Sequence, residues 1–478
     1  MRLPRILTLS SGLALVVLSG CTVGPKYHKP DLPVPPAFHG GAGVNSTPAQ
    51  ATATAASLGA EKWSTVFRDP VLQGLITEAL ANNYDLKIAA ERVLEAQDQL
   101  GITHAQQLPS LNGGGSYNAI GLSNDLSKIL GSNGERKNLY SGGFNLAAAW
   151  NLDFWGYYRK QTEAARDQLL ATAWAQRMTV DSLIESVASS YFALRTLDAE
   201  LAITQKTVIS RRASLKLTED LEQGGAATLQ DVRESQESLY QATAQVPDLE
   251  RQVAQQEDAL STLLGRDPGP ILRGSLSQVN WPAPEQVPAG IPLQLLERRP
   301  DIAAAEAQLR AANANIGVAR ARFFPQLSIT ATGSTSSNQF KHILDANNIL
   351  WEVTGSLTQN IFDGGALRNN LRLTKAEEQE QVYTYAQTVQ KAFQNVSDSL
   401  IALRQYRLYR EQEEKLVAAA SDATRLARLN YQAGATSYLN VLTNENTYYQ
   451  AELGLVVARQ QEAISFVQLY SALGGGWQ

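Results

Sequence analysis

The chain has 478 residues, 44% of them hydrophobic and 18% charged, with a formal net charge of −5. That is enough apolar material for a sizeable core and rules out wholesale disorder, and the acidic balance argues against a nucleic-acid binder, which needs a basic field. One cysteine and four histidines leave little material for disulfide or zinc frameworks, and no uninterrupted apolar run is long enough for a membrane helix in the mature chain, although a β-barrel would give a much weaker signal. At roughly 100–200 residues per domain, length alone suggests two to four compact domains, and the abundance of alanine leans the chain towards helix.

Arg2 and Arg5 open a short basic stretch, and a mostly apolar run extends from Ile6 to Leu18. This reads as a secretory signal at 1–20, too short to span a bilayer. The run ends Leu18-Ser19-Gly20-Cys21, which resembles a bacterial lipobox. That resemblance implies cleavage before Cys21, diacylation of its sulfur and acylation of the new amino terminus. Three acyl chains hold a protein to a bilayer far more firmly than one. Thr22 follows rather than Asp, which favours sorting to the outer membrane. Residues 21–82 are expected to be a lipid-anchored, extended equatorial segment.

The rest of the chain is written twice. Asp85-Leu86, Gly101-Ile102 and Pro109-Ser110-Leu111 recur at one common offset as Asp301-Ile302, Gly317-Val318 and Pro325-Gln326-Leu327. Gly225-Ala226, Tyr240-Gln241-Ala242 and Leu264-Gly265 recur at a second, slightly shorter common offset as Gly434-Ala435, Tyr449-Gln450-Ala451 and Leu473-Gly474. Spacing this regular marks an internal repeat. The repeats span 83–265 and 299–474, joined by a proline-rich connector at 266–298, with a tail at 475–478.

Each repeat begins with a helix and then a strand pair, about 111–154 in the first and about 327–362 in the second. Phe144, Leu146, Ala148, Trp150 and Leu152 alternate with small or polar neighbours, and so do Trp351, Val353, Gly355 and Leu357. Segments of about ten residues, apolar on one face and small-polar on the other, fit barrel strands around a wet lumen. Four strands cannot close a barrel and an open edge in lipid is forbidden, so two or three copies must share one. Next come two long windows, 157–223 and 366–433, with neither Gly nor Pro. Each is expected to be one helix about 100 Å long at about 1.5 Å per residue. A compact globule of this length would not contain such a rod. Shorter helices follow at 228–264 and 437–473. Val232, Leu239, Val246, Val253 and Leu260 keep a strict period of seven, as do Leu442, Tyr449, Val456, Ala463 and Tyr470. Both are coiled-coil seams, and Pro247 predicts a local kink in the first.

The words of the sequence sharpen this plan. Cys21-Thr-Val-Gly-Pro-Lys-Tyr27, Asp153-Phe-Trp-Gly156, Leu263-Leu-Gly-Arg-Asp-Pro268, Leu295-Leu-Glu-Arg-Arg-Pro-Asp-Ile302, Asn315-Ile-Gly-Val-Ala-Arg320 and Phe362-Asp-Gly-Gly365 resemble the TolC-like outer membrane factor family, in its lipoprotein (NodT-type) branch. The resemblance implies a mainly α fold with a β-barrel part, four strands and long coiled-coil helices per protomer. Three protomers would form a twelve-stranded barrel and a twelve-helix periplasmic tunnel. It implies a passive conduit for small toxic compounds in a tripartite efflux pump, with a periplasmic adaptor, an inner-membrane resistance–nodulation–division pump and outer membrane lipids as partners.

The same resemblance assigns site residues. The turns at Gly224, Gly225 and Ala226 and at Gly434 and Ala435 become the periplasmic tip on which the adaptor docks. A family latch between a tyrosine and an aspartate falls on Tyr431 and Asp231. The family's ring aspartates fall on Asn440 and Thr443, and a linking arginine on Thr436, so the acidic ring is absent. Arg425, Arg428, Tyr438 and Asn444 lie nearby and would narrow or charge the entrance instead. The Arg211-Arg212 and Arg298-Arg299 pairs read as solvated or ion-paired helix positions.

No enzyme motif is present: there is no phosphate-binding loop, no nucleophile elbow and no HxxxH spacing. No cofactor and no metal site are expected. Metal-ion efflux, type I secretion and a pore-free periplasmic coiled-coil lipoprotein remain the alternative functions.

Overall fold

The computed structural model describes residues 23–39, 57–123, 129, 138–282 and 292–477. Cys21 and the signal stretch lie outside them. The elements run α1 (Trp63–Val66), α2 (Pro70–Asn82), α3 (Tyr84–Ala105), β1 (Ser110–Gly121), β2 (Asn138–Leu152), α4 (Tyr157–Gln223), α5 (Leu229–Leu263), α6 (Pro292–Arg298), α7 (Pro300–Ala321), β3 (Gln326–Thr335), β4 (Ile349–Thr358), α8 (Ala366–Gln432) and α9 (Tyr438–Ala472). The Gly- and Pro-free windows are the long helices α4 and α8. Among the described residues, no helix is long and apolar enough to cross a membrane.

Helix boundaries follow local chemistry. Thr228 caps α5: its Oγ1 accepts the Asp231 backbone N–H at 3.2 Å, and Asp231 Oδ2 accepts the Thr228 backbone N–H at 2.8 Å. This reciprocal capping box satisfies two otherwise orphaned donors. Asp363 starts α8 by accepting the backbone N–H of Gly365 at 2.9 Å and of Leu367 at 2.8 Å. Pro247 lies inside α5, whose helix continues on both sides of it, at the loss of one ladder hydrogen bond. The extended course expected for 21–82 is interrupted by α2. There Asp69 accepts from Val71 and Leu72 N–H, and Pro70 occupies the first helical position, a start signal that lies beyond the Pro-, Gly- and Ala-rich stretch at 22–60. A short helix, α6, likewise sits in the connector.

The described residues divide into two compact units, and each takes segments from both repeats: those within 23–30, 93–172 and 305–385 in one, those within 31–92, 173–304 and 386–477 in the other. The first holds a four-stranded antiparallel sheet in the order β1-β2-β3-β4. In the second, most of the seam positions are buried, Val232, Leu239 and Leu260 on α5 and Tyr449, Val456, Ala463 and Tyr470 on α9, while Val246, Val253 and Leu442 are half-buried. This unit also secures the connector. Arg273 donates Nε and Nη2 to the two carboxylate oxygens of Asp198 at 2.7 and 2.8 Å and pairs with Glu257. Asp69 accepts from Tyr191 Oη at 3.1 Å and from the Asn280 N–H at 3.2 Å.

Candidate functional site

The register of the sheet sorts its side chains into two chemically distinct faces. Leu146 stands opposite Gly113 on β1 and Gly333 on β3, Phe144 opposite Gly115, and Trp150 opposite Ile329. Across β3, Ala331 meets Val353, Gly333 meets Trp351 and Leu327 meets Leu357. These residues share one face because successive strand side chains alternate. The other face carries Asn112, Ser116, Asn118, Asn145, Asn151, Ser328, Thr330, Thr332, Thr354 and Ser356, with the small Ala147 and Ala149 among them and larger apolar residues (Ile120, Leu139, Leu350) towards the loop ends of the strands. Within the chain, β1 and β4 are the two sheet edges.

Where the strands meet the helices, Trp155 stacks on Phe324 with ring centroids 4.8 Å apart and donates its indole N–H to the Pro325 carbonyl at 2.9 Å. The Val23 N–H donates to the Trp155 carbonyl at 3.1 Å. The segment after Val23 then runs along α7. Gly24 lies against Gly317, where a Cβ on Gly24 would come within 3.0 Å of the Gly317 Cα. Tyr27 sits under the Arg310 guanidinium at 5.4 Å, and Lys29 pairs with Glu306 at 2.8 Å. Lys29 and Arg310 together hold the Glu306 carboxyl below its ordinary range, against the upward push of burial.

The second candidate region is the pair of helix–helix turns. Gly225 and Gly434 both have positive φ, +69° and +74°. Around them the Ala226 N–H reaches the Leu221 carbonyl and the Ala435 N–H the Asn430 carbonyl, each at 2.8 Å. These are paired Schellman caps, which favour glycine because a Cβ is strained at that φ. Nothing lies within 4 Å of a Cβ built on either glycine, and Gly224, Gly225, Ala226, Gly434 and Ala435 are exposed.

The residues assigned to the gate are distributed differently from the expectation. Tyr431 Oη is buried and has no hydrogen-bond partner among the described residues. Asp231, its expected partner, spends one carboxylate oxygen on Thr228, accepting both the N–H and the Oγ1–H at 2.8 Å. The Asp231 charge still acts on Tyr431, whose hydroxyl pKa is raised by burial first and by Asp231 second. The Thr-x-x-Asp spacing of Thr228 and Asp231 is the signal that reveals the capping role. Tyr438 does not face an entrance within the chain. It is 3% exposed, in a cluster with Ala427 and Val441, and donates to Ser235 Oγ at 3.0 Å. Its heptad neighbourhood puts it in the seam. Asn440 and Thr443 are exposed and bond within their own helical turns, to Thr436 Oγ1 at 3.0 Å and the Leu439 carbonyl at 2.8 Å. Arg425 pairs with Asp422 at 2.7 Å, and Arg428 with Glu445 at 2.7 Å. Arg211 is not solvated: it is 4% exposed, and burial lowers its pKa. Replacing Tyr431 with Phe is therefore expected to raise thermal stability, by about 1 kcal/mol, because a buried hydroxyl without a partner has given up its water and gained no hydrogen bond. A large loss in a melting experiment would show that Tyr431 Oη has a partner in the assembled protein.

A sequence profile of the outer membrane efflux protein family matches residues 75–266 and again 291–475. The chain belongs to the outer membrane efflux protein family. Among its relatives, the solvent efflux pump outer membrane protein SrpC of Pseudomonas putida is 35% identical over 465 residues, covering 97% of both chains. The cation efflux system protein CusC of Escherichia coli O6:H1 is 33% identical over 470 residues, again covering 97% of both. The solved open state of the MtrE outer membrane channel of Neisseria gonorrhoeae superposes with a TM-score of 0.83 at 30% identity, over 96% of this chain and 99% of that one. The family words are structural words in this chain. Asp363 caps α8, Trp155 closes the foot of the sheet, Gly317 admits the amino-terminal segment, and Arg299 donates to both oxygens of Asp301 at 2.9 and 2.7 Å and to the Ala472 carbonyl at 2.7 Å. This member of the outer membrane efflux protein family is the outer membrane component of an efflux system.

Proposed function

We propose that three copies of the chain close their sheets into one twelve-stranded barrel, and that the helices form a passive periplasmic conduit for small toxic compounds. The sheet carries this reading: one face is apolar, the other is lined with small and polar side chains, and both edges are unpaired among the described residues. An apolar face needs lipid, a polar face tolerates water, and unpaired edges in lipid must be matched by another copy. The partners of the conduit are a periplasmic adaptor docked at the Gly225 and Gly434 turns and an inner-membrane pump that supplies the energy. No side chain of the chain itself performs chemistry on the cargo.

The anchor is part of the same reading. Val23 is bonded at the foot of the sheet, beside the Trp155–Phe324 stack. Cys21 precedes it by two residues, no more than about 7 Å of extended chain. Aromatic rings gather at membrane–water interfaces, which is where acyl chains on Cys21 would enter the bilayer. Replacing Cys21 with Ala is expected to abolish incorporation of radiolabelled palmitate. Labelling that persists in the variant would remove the lipoprotein assignment.

The conduit is tested by reconstituting the purified protein into planar bilayers. It is expected to migrate as a heat-modifiable trimer and to produce discrete conductance steps. A monomeric protein that extracts without detergent once acylation is blocked would favour a pore-free coiled-coil lipoprotein.

A further inference from the structure

On the apolar face of the sheet, beside the middle of β2, lies an open hollow of about 490 Å³. Gly113 on β1 and Gly333 on β3 flank Leu146 on β2 and form its low sides, and Phe144, Thr335 and Ile349 also line it. Glycine in a strand interior costs roughly 0.5–1 kcal/mol relative to alanine, so these two need a cause. Neither has the positive φ that favours glycine. Neither is pressed by its own chain. Among the described residues nothing lies within 4 Å of a Cβ built on Gly333. A Cβ on Gly113 would meet only Leu146 Cδ1 at 3.8 Å and the Asn145 carbonyl oxygen at 4.0 Å, both ordinary contacts. The remaining cause is the close approach of a group from outside the folded chain. A second copy joining at the β1 and β4 edges extends the sheet sideways and leaves this face to lipid, so that group is apolar.

The hollow stands in line with the anchor. From the Leu152–Leu327 pair at the foot of the sheet, β2 and β3 run through Trp150–Ile329 and Ala148–Ala331 to Leu146–Gly333. On β3 the side chains shrink along this path, from Ile329 through Ala331 to Gly333. The path is about 20 Å long, at about 3.3 Å per strand residue. Trp155, just past the end of β2, bonds to Pro325, just before the start of β3, and accepts the Val23 N–H. The amino-terminal segment is therefore fixed beneath this one pair of strands. From Val23, up to about 7 Å of extended chain leads to Cys21, and an acyl chain covers half the hydrocarbon core, about 15 Å. Together they cover the path. A free phospholipid has no fixed point of entry, whereas a chain carried by Cys21 enters the bilayer at the same place in every molecule.

We propose that the hollow seats the end of one acyl chain carried by Cys21, so that the anchor lies against the wall of the barrel instead of dispersing into the bilayer. The inference rests on the lipoprotein reading above.

The test uses the full-length protein in the outer membrane of cells fed a clickable palmitate with a diazirine at its far end. After irradiation, mass spectrometry of the digested trimer is expected to find the peptide that begins at Cys21 cross-linked to β2 and β3 around Leu146 and Gly333. Gly333→Leu, which fills the hollow, is expected to lose these cross-links while Cys21 stays labelled. If Gly333→Leu does not assemble as a heat-modifiable trimer, Gly333→Ala, which adds one methyl group, should reduce them. Cross-links from Cys21 scattered evenly over the apolar face overturn the seat, as do cross-links unchanged in the assembled glycine variants. A hollow that cross-links to labelled phospholipid and not to the Cys21 peptide overturns it too. A protein whose Cys21 takes up no label overturns the lipoprotein reading itself, and the seat with it.

Discussion

Leu146→Arg is expected to block assembly in the outer membrane, whereas Ala147→Arg, one residue along the same strand, should leave it intact. Leu146 lies near the middle of β2 on the apolar face, between Gly113 and Gly333, and is 54% exposed in the single chain. On the lipid side of a barrel, an arginine near the bilayer midplane costs about 2–4 kcal/mol. In a trimer that cost is incurred three times. Ala147 points the other way, between Asn112 and Thr332, where an arginine would meet water and small polar side chains. The measurement is the fraction of each variant recovered as heat-modifiable trimer from outer membranes. Equal recovery would mean that the two faces are not lipid and lumen. Failure of Ala147→Arg alone would mean that they are reversed.

The contrast between these two residues shows what a period of two makes visible in a sequence. The alternation around Leu146 and Trp351 is local, so the strands and their faces can be read directly. The long helices are equally legible, because in 67 consecutive residues nothing breaks α4 or α8. Helix α2 is less visible, since its start is marked only by the Asp69-Pro70 pair, shortly after a Pro-, Gly- and Ala-rich stretch at 22–60 that reads as extended chain. The tip region divides the same way. Gly225 and Gly434 announce their turns by residue type. The Glu445–Arg428 pair does not, because the partners are 17 residues apart on different helices, and Arg211 meets Asn446 across 235 residues. Contacts of that kind depend on the register in which helices pack, which no local pattern specifies. Asp231 shows the opposite hazard. Alignment to a family latch gives it a role between helices, while its own Thr-x-x-Asp spacing already describes the cap it forms.

The largest pH effect is expected at the carboxyl end of the chain. After α9, Gly474 and Gly476 turn at positive φ, +77° and +104°. They lay Trp477 against Trp174 at 5.7 Å and beneath the Arg177 guanidinium at 4.9 Å. The turn presses Gly476 onto Asp181 of α4: a Cβ there would lie 2.9 Å from Asp181 Oδ1. Asp181 accepts one hydrogen bond, from Ser471 Oγ at 3.1 Å. Burial pushes its pKa from 3.8 up to about 8; Glu185 and Asp301 add to the shift, while Ser471 and Arg299 oppose it.

The folded chain therefore holds a proton on Asp181 that the unfolded chain has already released above pH 3.8. Stability from this group is greatest below that value, falls by about 1.4 kcal/mol per pH unit as the pH rises towards 8, and levels off above it. Across the whole interval the loss is on the order of 5 kcal/mol. Asp181→Asn keeps the shape and an acceptor for Ser471 but cannot ionise. Its melting temperature in detergent should stay level from pH 5 to pH 9, whereas the wild type falls, so that the variant is the more stable protein above pH 8. Parallel melting curves for the two proteins would place the Asp181 carboxyl in water and leave the Trp477 clasp independent of pH. Diverging curves accompanied by a loss of Trp477 contact, read as altered tryptophan fluorescence that is absent in Trp477→Phe, would show that ionising Asp181 lifts the end of the chain from α4.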